Sequence, residues 1–272
     1  MDNPTLNDAV VIVFFSFACL GIVISWIIKG IYIYFRKDGV FRKSSPWFSF
    51  LTLFGIDLIF LALIFYGMTY TTFTCFAYAW TLAIGCGMCL SNVFIKSYRI
   101  FRIFKNPEAK AVSISDKEIF VFTAAIVIAE IILLSIYSFC SGLLGPQVIQ
   151  SSKDVYYKFR ICLVPSKAVQ LTFLIIIYVF NLTILLAIAL LAFLTRKIDN
   201  SYSEARGIAY TVYCTIMFQI IFLPLFYASG NSTGSAMTRY ALNAIIILLT
   251  CYLSMIFLFS GKIARKYKQK EE

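Results

Sequence analysis

Of the chain's 272 residues, 61% are hydrophobic and only 14% charged, and the formal net charge is +11. Soluble domains carry roughly 25% charged residues, so this composition excludes a water-soluble globule. Histidine is absent, which removes Ser–His and Cys–His catalysis and most metal-site patterns, including the rhomboid-type serine and helical zinc proteases. No enzyme activity, metal or cofactor is expected.

The apolar residues fall in seven runs at 9–34, 47–68, 75–95, 119–140, 168–194, 207–228 and 240–260. A helix needs about 20 apolar residues to cross a bilayer, and these runs do not alternate as barrel strands do. The expected fold is all-α, an integral membrane bundle of seven helices. The reading divides it into a short outer N-terminus (1–8), the helical domain (9–262) and a basic inner tail (263–272), with no room for a second soluble domain.

The first run is preceded by Asp2 and Asp8 and by no basic stretch, so it reads as its own uncleaved insertion signal. The second run carries Asp57 and the fourth Glu130. An intramembrane acid is costly and marks a functional site by default. The options are an ion or proton site, a pair of catalytic acids, or protonated groups hydrogen-bonded to neighbours such as Asn92 or Ser91. Paired catalytic acids would call for two aspartates in their own motifs. In the third run Ala83, Gly87 and Ser91 recur every four residues, a small face that admits another helix closely. The fifth run holds Asn181-Leu-Thr, a glycosylation pattern inaccessible at mid-membrane. Asn231-Ser-Thr lies outside, in a loop short for that modification. The seventh run has no lysine, which excludes a retinal Schiff base.

Orientation follows from basic residues. With the N-terminus outside, 19 of the 24 Lys and Arg lie at the inner face and 5 outside, as positive-inside topology requires. Lys29 is counted among the inner residues, with the first loop. The positive charge therefore reads as topology and as attraction to anionic lipid, and nucleic acid is not an expected partner.

Between Cys75 and Asn106 stand Trp80, Gly85, Lys96, Arg99 and Ile103-Phe104-Lys105-Asn106. This order and spacing resembles the third helix of class C G-protein-coupled receptors. Lys43-Ser44-Ser45-Pro46 resembles the first inner loop of GABA type B receptors. Glu204-Ala205-Arg206, with Ile208-Ala209, Tyr213, Phe222 and Pro224, resembles the sixth helix of metabotropic glutamate receptors. Phe259-Ser260-Gly261-Lys262 is similar to the family's ending of the seventh helix, with Gly261 where Pro is usual. The family's extracellular ligand-binding lobe has no counterpart before Asp8.

The resemblance implies a receptor that activates heterotrimeric G proteins through basic inner segments, here Arg99, Arg102, Lys105, Lys197 and Arg206. It implies a disulfide between Cys75 and Cys162, with Cys140 as the competing partner. It pairs Lys96 with Glu204 as an inner-face lock on the resting state, where the alternative is Lys96 snorkelling to headgroups. It also places Trp80, Tyr213, Gln219 and Phe222 around a bundle pocket, although Gln219 stands where glutamate receptors have Trp. A homodimer or heterodimer with another heptahelical receptor at the plasma membrane is expected. The competing readings are a non-signalling heptahelical partner subunit and a small-solute or ion transporter using Asp57 and Glu130, although repeated halves and broken helices are lacking.

Overall fold

A computed structural model describes residues 8–36, 46–68, 71–105, 116–140, 145–150, 158–163, 167–195, 203–228 and 233–271. Seven helices follow in order: α1 (Asp8–Tyr34), α2 (Pro46–Gly67), α3 (Thr72–Lys105), α4 (Asp116–Cys140), α5 (Lys167–Leu194), α6 (Ser203–Ala228) and α7 (Thr233–Glu271). Between α4 and α5 lie two antiparallel strands, β1 (Gly145–Gln150) and β2 (Lys158–Leu163), paired so that Pro146 faces Cys162. Six helices are long and apolar enough to cross a membrane, and α6 holds a shorter apolar stretch over Arg206–Phe222.

The helices are longer than their apolar runs. Helix α3 begins one turn early, where Thr71 and Thr74 cap each other: the Thr74 amide donates to Thr71 Oγ1 at 3.1 Å and the Thr71 amide to Thr74 Oγ1 at 2.8 Å. This reciprocal arrangement satisfies orphan donors at the helix start. At the other end α3 runs to Lys105, and α7 runs to Glu271 through the segment expected as a tail. Polar sequence hid both extensions, because hydropathy detects the membrane and not the helix.

The helices close a ring in which each touches the next and α7 returns to α1 and α2, while α3 also meets α5 and α6. The main core takes Ala18 and Tyr32 from α1, Leu53, Ile56, Phe60 and Leu63 from α2, Val93 from α3, Leu185 and Ile188 from α5, Ile208 and Val212 from α6, and Ala244 to Phe259 from α7. Large apolar side chains face outward as well, among them Trp26, Phe120, Phe139 and Ile220. Apolar residues on every side mark helices solvated by lipid.

Close approach depends on glycine. A Cβ on Gly55 of α2 would sit 2.8 Å from Cys89 Sγ and 2.9 Å from the Gly85 carbonyl, and one on Gly85 of α3 would sit 2.8 Å from the Gly55 carbonyl. A Cβ on Gly207 of α6 would collide with the Phe257 carbonyl of α7. Backbones meet directly at both crossings, as small residues allow in lipid. Hydroxyls are satisfied locally: Thr52, Thr81, Ser97, Thr211 and Ser254 each donate to the carbonyl four residues back, the expected recourse where water is absent.

Candidate functional site

The first polar element within the bundle is an ion pair. Lys29 Nζ of α1 donates to Asp57 Oδ2 of α2, with 13% and 15% of the two side chains exposed. Side chains on a helix lean toward its N-terminus. With α1 and α2 antiparallel, Lys29 leans away from the end of α1 and Asp57 toward the start of α2, so the two converge. The Lys29 ammonium also lies 5.4 Å from the centre of the Trp26 ring. Lys29 is therefore not loop charge, and Asp57 is bonded neither to Asn92 nor to Ser91. Asn92 donates to the Met88 carbonyl at 2.7 Å and accepts from Thr123 at 3.4 Å, while Ser91 donates to the Met88 carbonyl at 3.1 Å.

Helix α4 contributes nothing to the main core. It is held to α3 by a ladder of polar and aromatic contacts. From the N-terminal toward the C-terminal end of α3, Trp80 Nε1 donates to Ser138 Oγ at 3.4 Å, Glu130 fills the notch at Gly87, Thr123 donates to Asn92, and Phe94 stacks on Phe122 with centroids 5.3 Å apart. The Glu130 side chain is 1% exposed, and neither carboxyl oxygen has a hydrogen-bond partner. Like Asp57, it finds neither Asn92 nor Ser91. The small face Ala83, Gly87 and Ser91 does receive a neighbour, and that neighbour at Gly87 is a carboxyl group.

At the end of the bundle where α3 begins, Tyr66 of α2 stacks on Tyr78 of α3 at 4.7 Å and on Tyr240 of α7 at 5.2 Å, and Asn243 Nδ2 donates to Tyr78 Oη at 2.9 Å. Phe14 of α1 meets the Tyr240 ring edge-on at 5.8 Å. Cys75 is buried and disulfide-bonded, whereas Cys140 carries a free thiol. Cys162 lies in β2, and its side chain is outside the described part.

The four expected pocket residues lie on α3 and α6. Trp80 is turned to α4, bonded to Ser138 and stacked on Phe76. Tyr213 is 43% exposed, because the core-facing side of α6 is set by Gly207, Ile208, Thr211 and Val212, and Tyr213 lies one step round the helix. Gln219 and Phe222 are half-buried on α6, where Phe222 meets Phe218 edge-on at 6.3 Å. Toward the C-terminal end of α3, Lys96 and Arg99 are half-buried and Arg102 is exposed. Arg206 is exposed near the start of α6. Glu204 is on α6 and Lys105 on α3, but both side chains lie outside the described part, as does residue Lys197 altogether. Among the described residues, no cluster of His, Cys, Asp or Glu is arranged to hold a metal ion.

Sequence comparison matches residues 4–262 to the family described as the 7 transmembrane sweet-taste receptor of 3 GCPR. The chain is 30% identical over 262 residues to metabotropic glutamate receptor-like protein F of Dictyostelium discoideum, covering 96% of this chain and 33% of that protein. It is 27% identical to protein J and 28% identical to protein B of the same organism, each over 86% of this chain and 30% and 31% of theirs. The chain thus spans about one third of the length of these curated relatives. The ring of seven helices and the match across nearly all of them lead to one conclusion: the chain belongs to the class C family of heptahelical receptors, a multi-pass membrane protein of receptor type and not an enzyme.

Proposed function

We propose that this bundle activates heterotrimeric G proteins at the plasma membrane, with its N-terminus outside and the end of α7 inside. The feature that best supports this is the continuation of α3 as a helix beyond its apolar run, through Lys96, Arg99, Arg102 and Lys105. Basic side chains on a rigid helix end, joined in this reading by Lys197 and Arg206 around the start of α6, suit an acidic partner surface better than a mobile loop would. Lys96 and Glu204 form the resting-state lock in this reading, and Cys162 is the partner of Cys75. A ligand acting on this stretch binds between the helices, with Gln219 and Phe222 as its contacts on α6, and the receptor works as a dimer. Activation is a population shift between two arrangements of the bundle.

The test is reconstitution of the purified chain with G-protein heterotrimers, read by guanine-nucleotide exchange. Exchange above that of empty membranes, lost when Arg99 and Arg102 are both replaced by Ala, supports the reading. No exchange from a folded, surface-delivered chain favours the partner-subunit reading. A transporter built on Asp57 is disfavoured because Lys29 already occupies that carboxylate.

A further inference from the structure

The Glu130 carboxyl is the one charged-type side chain among the fully buried large side chains of the described residues. It reaches from α4 into the notch at Gly87 of α3, where any Cβ would displace it. Both its oxygens are orphaned acceptors, and so is Asn181 Oδ1 on α5. Asn181 stands close enough to interact with the carboxyl, while its own Nδ2 is committed to the Ile177 carbonyl at 3.1 Å. The ionisable groups facing Glu130 are the Cys86 and Cys89 thiols of α3. Among the described residues no lysine or arginine is paired with Glu130.

Three neighbouring buried oxygens that accept no hydrogen bond make a charged carboxylate unfavourable there. Burying an unpaired polar group is costly in proteins, and burying an isolated carboxylate far more so. One added species resolves this. A proton on Glu130 removes the charge, turns one acceptor into a donor, and aims it at the free Asn181 oxygen. A metal cation needs more ligands than this: about six oxygens for the common hard ions, where the described site offers three. We propose that Glu130 is an intramembrane proton-binding site, and that its carboxylic O–H donates to Asn181 Oδ1. The bound proton clasps α4 to α5 across the notch of α3. This inference is independent of whether the bundle couples to G proteins.

Infrared spectroscopy of the full chain in lipid nanodiscs at neutral pH tests it. A protonated carboxylic acid gives a C=O stretch well separated from the bands of amides and carboxylates. The expected result is one such band in the parent protein, absent in Glu130→Gln and shifted in Asn181→Leu, with the Gln variant keeping the parent's thermal midpoint. Glutamine is near-isosteric and neutral, so it separates loss of the band from loss of the fold. If the spectra of the parent and of Glu130→Gln match in the carboxylic region, the proposal is wrong. A carboxylate band that shifts when sodium is exchanged for choline also overturns it, in favour of a cation site. A band unmoved by Asn181→Leu, in a variant that keeps the parent's thermal midpoint, overturns the clasp to α5.

Discussion

Lys29 of α1 and Asp57 of α2 form an ion pair within the apolar spans of the bundle, each with less than one sixth of its side chain exposed. Truncating one member leaves the other charge buried and unmatched, which typically costs about 3–5 kcal/mol, more than the pair itself contributes. We expect Asp57→Ala to lower the thermal midpoint of the purified protein by several degrees. Lys29→Met with Asp57→Leu should recover most of the loss, because an apolar pair carries no such penalty. A double variant no more stable than the single one would show that the charges are needed for more than mutual neutralisation.

The crossing of α6 and α7 tolerates no side chain at Gly207, whereas nothing lies within 4 Å of a Cβ added at Gly30. Overpacking costs typically about 1–3 kcal/mol, and here the obstacle is backbone, which cannot rotate away. Gly207→Ala should destabilise clearly and Gly30→Ala should not. Equal effects in a thermal-shift series would mean the crossing adjusts freely.

Gly87 and Glu130 should be coupled. Gly87→Ala drives a methyl into the carboxyl group, so it is expected to destabilise the parent and to do less harm in Glu130→Ala, where the space is vacant. The measurement is a double-mutant cycle, and residues in contact typically couple by about 0.5–3 kcal/mol. Additive effects would separate the two residues.

Cys75 is disulfide-bonded and Cys140 is free. Non-reducing peptide mapping should recover Cys75 joined to Cys162. A bridge closing a long loop contributes typically about 2–4 kcal/mol, so Cys162→Ser should reduce surface expression while Cys140→Ser leaves it unchanged. The reverse pattern would reassign the bridge.

For the inner-face lock, Glu204→Ala should raise basal nucleotide exchange. Exchanging the charges, Lys96→Glu with Glu204→Lys, should restore part of the low basal level, since Coulomb attraction is symmetric in sign. Unchanged basal exchange in a single mutant that reaches the surface would leave Lys96 as a snorkelling residue.

The seven spans were legible because lipid imposes one rule on every helix, and hydropathy records it. What escaped were relations between helices. Lys29 sits five residues from the end of α1, where a count of basic residues assigns it to the loop. An opposite charge in the next span, Asp57, was the available signal for a pair. Glu130 and Gly87 were each noted, but a single chain carries no sign that one enters the other's notch. The exposure of Tyr213 was not legible, because a motif position fixes the residue and not the rotation of its helix, and one residue turns the side chain by about 100°. The hairpin of β1 and β2 left no apolar trace, since its strands lie beyond the spans.

Helix α7 has 39 residues, a rod about 58 Å long at the usual rise per residue, against a hydrocarbon layer of about 30 Å. Its N-terminal half carries Tyr240 and Asn243, which bind it to the tyrosine stack, and its C-terminal end continues unbroken past Lys262 to Glu271. Such a rod acts as a lever whose fulcrum is the Gly207 crossing, the one place where another backbone presses directly upon it among the glycines described. Because the crossing falls at Phe257, nearer to Glu271 than to Tyr240, a tilt at the aromatic end of a rigid rod becomes an oppositely directed and somewhat smaller sweep at the Glu271 end, with no hinge needed between them.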